Sequence, residues 1–226
     1  MKPRFSATLS LIILNVAAFG WLFSRDLSDP ERLFIVYGGV NRGLVLEQGE
    51  YWRLLSATFL HGGLLHLAMN MYSLWVVGSF LERWIQWRWF IVFYLVCGLG
   101  GSVGSVWWHS APNVSVGASG AIFGIVGILT GMLALGKIFD PRGRKALLKN
   151  LLLVIGLNVL IGLSIPGIDN AGHMGGLAAG LLMGATLGLG LRPGFSKTDR
   201  RRLAVMGIAL TLGVLALFLF VIPLHS

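Results

Sequence analysis

Residues 117–136 read GASGAIFGIVGILTGMLALG. These twenty positions carry no charge, and as a helix rising about 1.5 Å per residue they span about 30 Å, the thickness of a bilayer's hydrocarbon core. The stretch therefore reads as a transmembrane helix. Its glycines, Gly120, Gly124, Gly127 and Gly131, recur at helical spacing. A face of small residues lets another helix backbone approach closely. Ser119 sits beside that face, at the helix entrance.

Six further apolar stretches extend the pattern: 5–24, 55–80, 87–108, 150–165, 171–190 and 203–222. Counted with 117–136 in chain order, the second span (55–80) is long and the fifth (150–165) short. The first reads as a retained span, because no small-x-small cleavage site follows within Ser24–Pro30. Composition agrees: 55% of the 226 residues are hydrophobic and 12% charged, with mean hydropathy +0.78. A soluble domain carries about 25% charge, so an ordinary soluble enzyme, a coiled coil and a disordered chain are excluded. Glycine is abundant, 32 residues, but without a Gly-X-Y period. Cys97 is the single cysteine, so neither an internal disulfide nor a thiolate metal site holds the fold. The fold class is all-α: a polytopic membrane protein with no internal repeats.

The net charge of +9 suggests nucleic acid until the charges are placed along the chain. Lys2 and Arg4, then Arg83 and Arg88, then Lys137, Arg142, Arg144, Lys145 and Lys149, then Arg192, Lys197, Arg200, Arg201 and Arg202 fall on one side. Arg25, Arg32, Arg42 and Arg53 fall on the other. Fourteen of 18 Lys and Arg on one side follow the positive-inside rule. The N-terminus is thus expected in the cytoplasm and the C-terminus outside, after seven spans. The partners expected are the lipid bilayer and no nucleic acid.

Polar side chains are costly inside a membrane, so each needs a reason. Ser119 lies 18 residues before Lys137, about 27 Å above it; His173 lies 19 before Arg192, about 28 Å; His66 lies 17 before Arg83, about 25 Å. Three helices thus bring a serine and two histidines to one level near the outer edge. Asn70 follows His66 at i+4, one turn deeper on the same face. A histidine can act as base to a serine nucleophile, and acyl transfer also needs donors for the developing oxyanion. His66, Asn70 and the Ser119 amide, free of an intrahelical partner at a first turn, could supply them. Taken singly the residues carry blander readings: a membrane serine usually back-bonds to its own helix, and a histidine near a helix end is more often interfacial. His109 and His225 read as solvated, and His61 as structural or water-holding. After His173, Gly176, Gly180 and Gly184 repeat every four residues. Packing alone explains the two glycine stripes, but not the reactive residue beside each.

These residues resemble the rhomboid family of intramembrane serine proteases. The likeness rests on GASG around Ser119, on His66-Leu67-Ala68-Met69-Asn70, and on Asn170-Ala171-Gly172-His173 followed by Gly176 and Gly180. Trp52-Arg53 and Glu82-Arg83 add to it. The resemblance covers about 50–190, with span 1 completing a six-helix core. It implies a core over 1–190, and a basic loop with a seventh C-terminal transmembrane helix over 191–226. It also implies a catalytic dyad of Ser119 and His173, oxyanion donors His66, Asn70 and the Ser119 amide, and helix packing through Gly120, Gly124, Gly176 and Gly180. The implied substrates are single- or multi-pass transmembrane proteins cut near the outer end of a span. No metal and no cofactor is called for, and a bacterial or archaeal plasma membrane is the expected location.

Phe123 departs from the family, where a tyrosine often stands. A ring there can still stack on His173, without a hydroxyl. No triad acid is evident; Asp169 suits an N-cap of span 6. The alternative in another class is a rhomboid-like chaperone or binder of membrane clients that does not cut them. Loss of Ser119 or His173 would signal it, and both are present. A transporter would place ionisable groups or broken helices near the midplane, where this chain has no acids.

Overall fold

The computed structural model describes residues 6–25, 29–109, 113–137 and 140–220. Their regular structure is helical, apart from one isolated bridge between Val40 and Ser115. Helix α1 is Ala7–Phe23. Three short helices follow, α2 (Pro30–Tyr37), α3 (Arg42–Leu46) and α4 (Arg53–Ser56), the last running into a 3-10 turn at Ala57–Phe59. Helix α5 (Leu64–Ser73) continues through a wide π turn at Leu74–Gly78 into α6 (Ser79–Glu82). The remaining helices are α7 (Trp87–Trp108), α8 (Ser119–Leu135), α9 (Pro141–Ser164), α10 (Asn170–Gly190) and α11 (Lys197–Phe220). Among the described residues five helical segments meet the length and composition of a membrane span; the apolar α1 and α8 are shorter, at 17 residues each. The chain is a multi-pass membrane protein.

Three expected spans have different bounds. The second starts at Leu64, not near residue 55, and runs to Glu82. Leu60 is extended, and the flexible pair Gly62-Gly63 interrupts the apolar run, so Arg53–Phe59 folds separately. The fifth span is not short: α9 has 24 residues. Its N-cap is Asp140, whose carboxylate accepts the Arg142 and Gly143 N–H groups. Arg142, Arg144, Lys145 and Lys149 thus ride on the first turns of the helix, where hydropathy alone reads a loop. Likewise α11 starts at Lys197, ahead of the expected 203; residues 221–222 of that span, and His225, lie outside the described residues.

Helix α8 forms the centre. Every residue from Ala121 to Leu133 is buried, and a helix apolar all round belongs inside a bundle. Its most extensive contact is with α10, then both pack on α7. The α8–α10 seam is glycine against backbone. A Cβ on Gly176 would land on the Gly120 carbonyl, one on Gly180 on the Gly124 carbonyl, and one on Gly184 on the Ile128 carbonyl. Helix α7 joins through glycines of its own: a Cβ on Gly101 would lie 3.0 Å from both Gly120 Cα and the Gly172 oxygen, and one on Gly104 would press on Ala171. Such spacing buries backbone against backbone, where dispersion and not side-chain bulk holds the helices.

The other helices surround this trio. Glu82 holds the start of α1: its carboxylate accepts Ala7 N–H at 2.6 Å, Thr8 N–H at 3.1 Å, Thr8 Oγ1–H at 2.7 Å and Ser6 Oγ–H at 3.1 Å. An acidic group at a helix N-terminus satisfies donors that the helix itself cannot. Helix α11 lies on α10 and α7, with the Trp107 indole N–H donating to the Phe218 carbonyl at 3.0 Å. Helix α9 is peripheral. Only 6% of its apolar stretch is buried, against 67% for α7, so Leu153, Leu157, Leu160 and Leu163 face outward.

Candidate active site

The N-terminal ends of α5, α8 and α10 border a cavity of 790 Å³. His66, Asn70, Ser119 and His173 all line it. The structure thus brings together the four side chains expected from sequence, from three separate helices.

Ser119 is the first residue of α8, so its N–H has no intrahelical acceptor. The chain enters it through Gly117, whose φ of +134° lies where side chains other than hydrogen are strained. Gly117 also leaves room for the neighbours: a Cβ there would sit 2.9 Å from His66 Nε2 and 3.7 Å from Ser119 Oγ. Ser119 and His66 therefore approach each other across a bare α-carbon. The loop is pinned from behind. Val40 and Ser115 exchange backbone hydrogen bonds of 2.9 and 2.8 Å, and Gly117 N–H donates to the Ala57 carbonyl at 2.9 Å.

His66 Nδ1 accepts the Gly62 N–H at 3.3 Å. In a neutral ring this hydrogen bond assigns the proton to Nε2, the nitrogen beside Gly117 and Ser119. The ring is braced by His61, edge-on at 5.2 Å between centroids. His61 is 1% exposed, which fits a structural residue better than a reactive one. Asn70 donates one amide N–H back to the His66 carbonyl at 2.9 Å, leaving its second N–H for another acceptor.

His173 lies in the first turn of α10 and stacks flat on Phe123, 4.3 Å between centroids at 6°. The ring stacking anticipated at that position is present without a hydroxyl. His173 Nδ1 is buried and has no hydrogen-bond partner among the described residues. The residues next to Ser119 and His173 touch: a Cβ on Gly120 would lie 3.3 Å from the Gly172 oxygen. The predicted packing glycines Gly120, Gly124, Gly176 and Gly180 all lie in this α8–α10 seam. Gly100, Gly101 and Gly104 of α7, not singled out from sequence, complete it; their three- and four-residue spacing was the available signal.

Asp169 caps α10 as expected, accepting the Gly172 N–H at 2.7 Å. It does more. It also accepts the Ser115 hydroxyl, and it pairs with His109 Nε2 at 2.9 Å. His109 is thus a half-buried partner at the end of α7 and not a solvated one. Burial pushes the Asp169 carboxyl up, but hydrogen bonds from Ser115, Gly172, Ser105 and His109 outweigh it and hold it below the ordinary carboxylate range. It is ionised at neutral pH. No cluster of three or more His, Cys, Asp or Glu side chains is placed to hold a metal among the described residues.

The comparisons with known proteins follow the same residues. A family model described as the Rhomboid domain matches residues 48–190. The chain is 38% identical to the rhomboid protease GluP of Bacillus subtilis (strain 168) over 218 residues, 95% of this chain and 40% of that protein. It is 41% identical to RHOMBOID-like protein 5 of Arabidopsis thaliana over 152 residues, 66% of this chain and 48% of the relative. To the rhomboid protease AarA of Providencia stuartii it is 32% identical over 210 residues, 80% of this chain and 74% of the relative. The chain thus spans less than half the length of the first two. A domain match over most of the chain, centred on the helices that build the cavity, leaves one conclusion: the chain belongs to the rhomboid family.

Proposed function

We propose that this chain is an intramembrane serine endopeptidase, which hydrolyses a peptide bond near the outer end of transmembrane protein substrates through a Ser119–His173 dyad. The observation that carries the reading is the convergence of Ser119, His173, His66 and Asn70 on one cavity, with a glycine contact fixing α8 against α10 beside the dyad.

His173 takes the proton of Ser119 Oγ as Oγ bonds to the substrate carbonyl carbon. The electron pair of the carbonyl moves to oxygen. That oxyanion accepts hydrogen bonds from the Ser119 N–H, the His66 Nε2–H and the free Asn70 N–H. Collapse breaks the C–N bond, and the imidazolium returns its proton to the leaving amine. Water then attacks the acyl-enzyme, with His173 as base, and the second product leaves as a carboxylic acid. No step calls for a metal or cofactor. Phe123 holds the imidazole in plane, a positioning part that a carboxylate plays in triads.

The proposal extends to organisation: residues 1–190 form the catalytic core, and 191–226 add a basic loop and the seventh helix. The N-terminus faces the cytoplasm and the C-terminus the outside, in a plasma membrane. The deciding experiment is covalent labelling by a fluorophosphonate in detergent micelles. A label on wild-type protein that is lost in Ser119→Ala, together with cleavage of a transmembrane test substrate, supports the reading. Ser119-independent cleavage overturns it.

A further inference from the structure

We propose that Asp169 is a positioning residue, tying the segment that carries Ser119 to the segment that carries His173; the proposal rests on the dyad reading above. A helix cap needs one acceptor oxygen, and asparagine serves nearly as well as aspartate. Asp169 uses one oxygen in that way, on the Gly172 N–H. Its other oxygen takes the Ser115 hydroxyl. That second bond is what capping leaves unexplained.

The register gives the bond its meaning. Ser115 precedes Ser119 by four residues, and Asp169 precedes His173 by four. The Ser115 backbone is fixed by its paired hydrogen bonds to Val40. At the other end, Asp169 holds the first turn of α10 twice, through the Gly172 N–H and through its own carbonyl, which accepts the His173 N–H at 3.1 Å. Lower down, glycine contacts lock α8 to α10 from Gly120 and Gly172 onward. Ahead of that level the Ser115–Asp169 bond joins the segment leading into α8 to the N-cap of α10. His109 and Ser105 of α7 approach the same carboxylate and hold it in place. The loop, α7 and α10 thus meet at one ionised group, which also lines the cavity.

A bond of this kind sets the distance from Oγ to imidazole without touching the substrate. Misplacing a reacting pair by about 1 Å can cost about 10²-fold in rate, so losing one strut while the glycine seam persists is expected to cost about tenfold. The test uses the full chain in detergent, reading kcat and KM for a transmembrane substrate, the rate of Ser119 labelling by a fluorophosphonate, and Tm. Asp169→Asn keeps a capping oxygen but loses the second acceptor. Ser115→Ala removes the hydroxyl alone. Each is expected to lower kcat and the labelling rate by about tenfold with KM unchanged. The double variant is expected to be no slower than the worse single one, since both break the same bond. Ser115→Thr, which restores a hydroxyl at an extended position, is expected to recover most of the rate. Should Asp169→Asn fail to fold, the Ser115 pair carries the test. Wild-type labelling rates in Ser115→Ala overturn the proposal. So does a loss that follows Tm and is not rescued by threonine. Wild-type labelling that does not depend on Ser119 overturns the dyad itself, a result distinct from either.

Discussion

Replacing Gly180 with alanine tests the geometry on which the whole site rests. The new Cβ would meet the Gly124 carbonyl, and would lie 2.6 Å from its carbon and 2.8 Å from Gly124 Cα. Ordinary carbon contacts need about 3.5–4.0 Å, so α8 and α10 must separate by roughly 1 Å. The obstacle is backbone in both helices, so no side chain can rotate away. Overpacking of this kind costs about 1–3 kcal/mol. Alanine returns about 1 kcal/mol in helix propensity over glycine, and the net expectation is about 0–2 kcal/mol destabilising. For a chain of this size that corresponds to a Tm lower by up to about 8 °C. Gly124 lies one turn below Gly120, so the separation also reaches the contact beside Ser119. A displacement of about 1 Å there predicts a rate loss of about 10²-fold. Gly180→Val should exceed both losses. The controls are Gly156→Ala and Gly213→Ala, where a Cβ meets nothing within 4 Å; they should hold or raise Tm and leave the rate alone. Thermal unfolding and fluorophosphonate labelling on the same preparations check this. Wild-type Tm and rate in Gly180→Ala would show that the two helices are not in backbone contact.

Ser119→Ala and His173→Ala are each expected to abolish proteolysis with the fold intact, and the double variant to be no worse, because groups acting as a unit are non-additive; cleavage assays in detergent decide it. Asn70→Ala is expected to lower kcat, by up to about 10²–10³-fold and less where the other donors compensate, with KM unchanged; a raised KM at constant kcat would assign Asn70 to packing. Asp169, held below the ordinary carboxylate range, contributes stability that is present above its unfolded pKa of about 3.9 and lost as pH falls through its lower folded value. Acid unfolding of Asp169→Asn is therefore expected to lack that part of the transition, which a pH titration of Tm will show. A reporter fused after residue 226 is expected to be accessible from outside the cell, from the basic asymmetry of the loops.

Much of this architecture is legible because the bilayer imposes one simple demand on each span. The third span, expected at 87–108, is Trp87–Trp108, since apolar composition and helix coincide there. They part company at 55–63, where the residues stay apolar while Leu60 and the glycine pair leave the helix. They part again at 141–149, where charges end the hydropathy signal but a capped helix continues. The cavity residues were readable because each is polar in an apolar segment at a common height. Ser115 and His109 gave no such signal. Both lie between the apolar helices, where polar residues are unremarkable, and their meaning comes from Asp169, 54 and 60 residues away. Phe123 was legible as a departure from a pattern whose ring could still stack on His173; that it lies flat, at 4.3 Å between centroids, is a fact of packing.

The enclosure of α8 decides what sets the serine's height. A helix of 17 residues is about 25 Å long, shorter than a hydrocarbon layer of about 30 Å. On the outside of a bundle such a helix would tilt or thin the lipid to relieve hydrophobic mismatch. Here it is sheathed from Ala121 to Leu133, and lipid chains do not reach it. Membrane thickness is instead felt by α9 and α11, whose leucines face outward. A thicker or thinner bilayer would reorient those two helices, while Ser119 keeps its level relative to α7 and α10, as if on a ruler carried inside the protein.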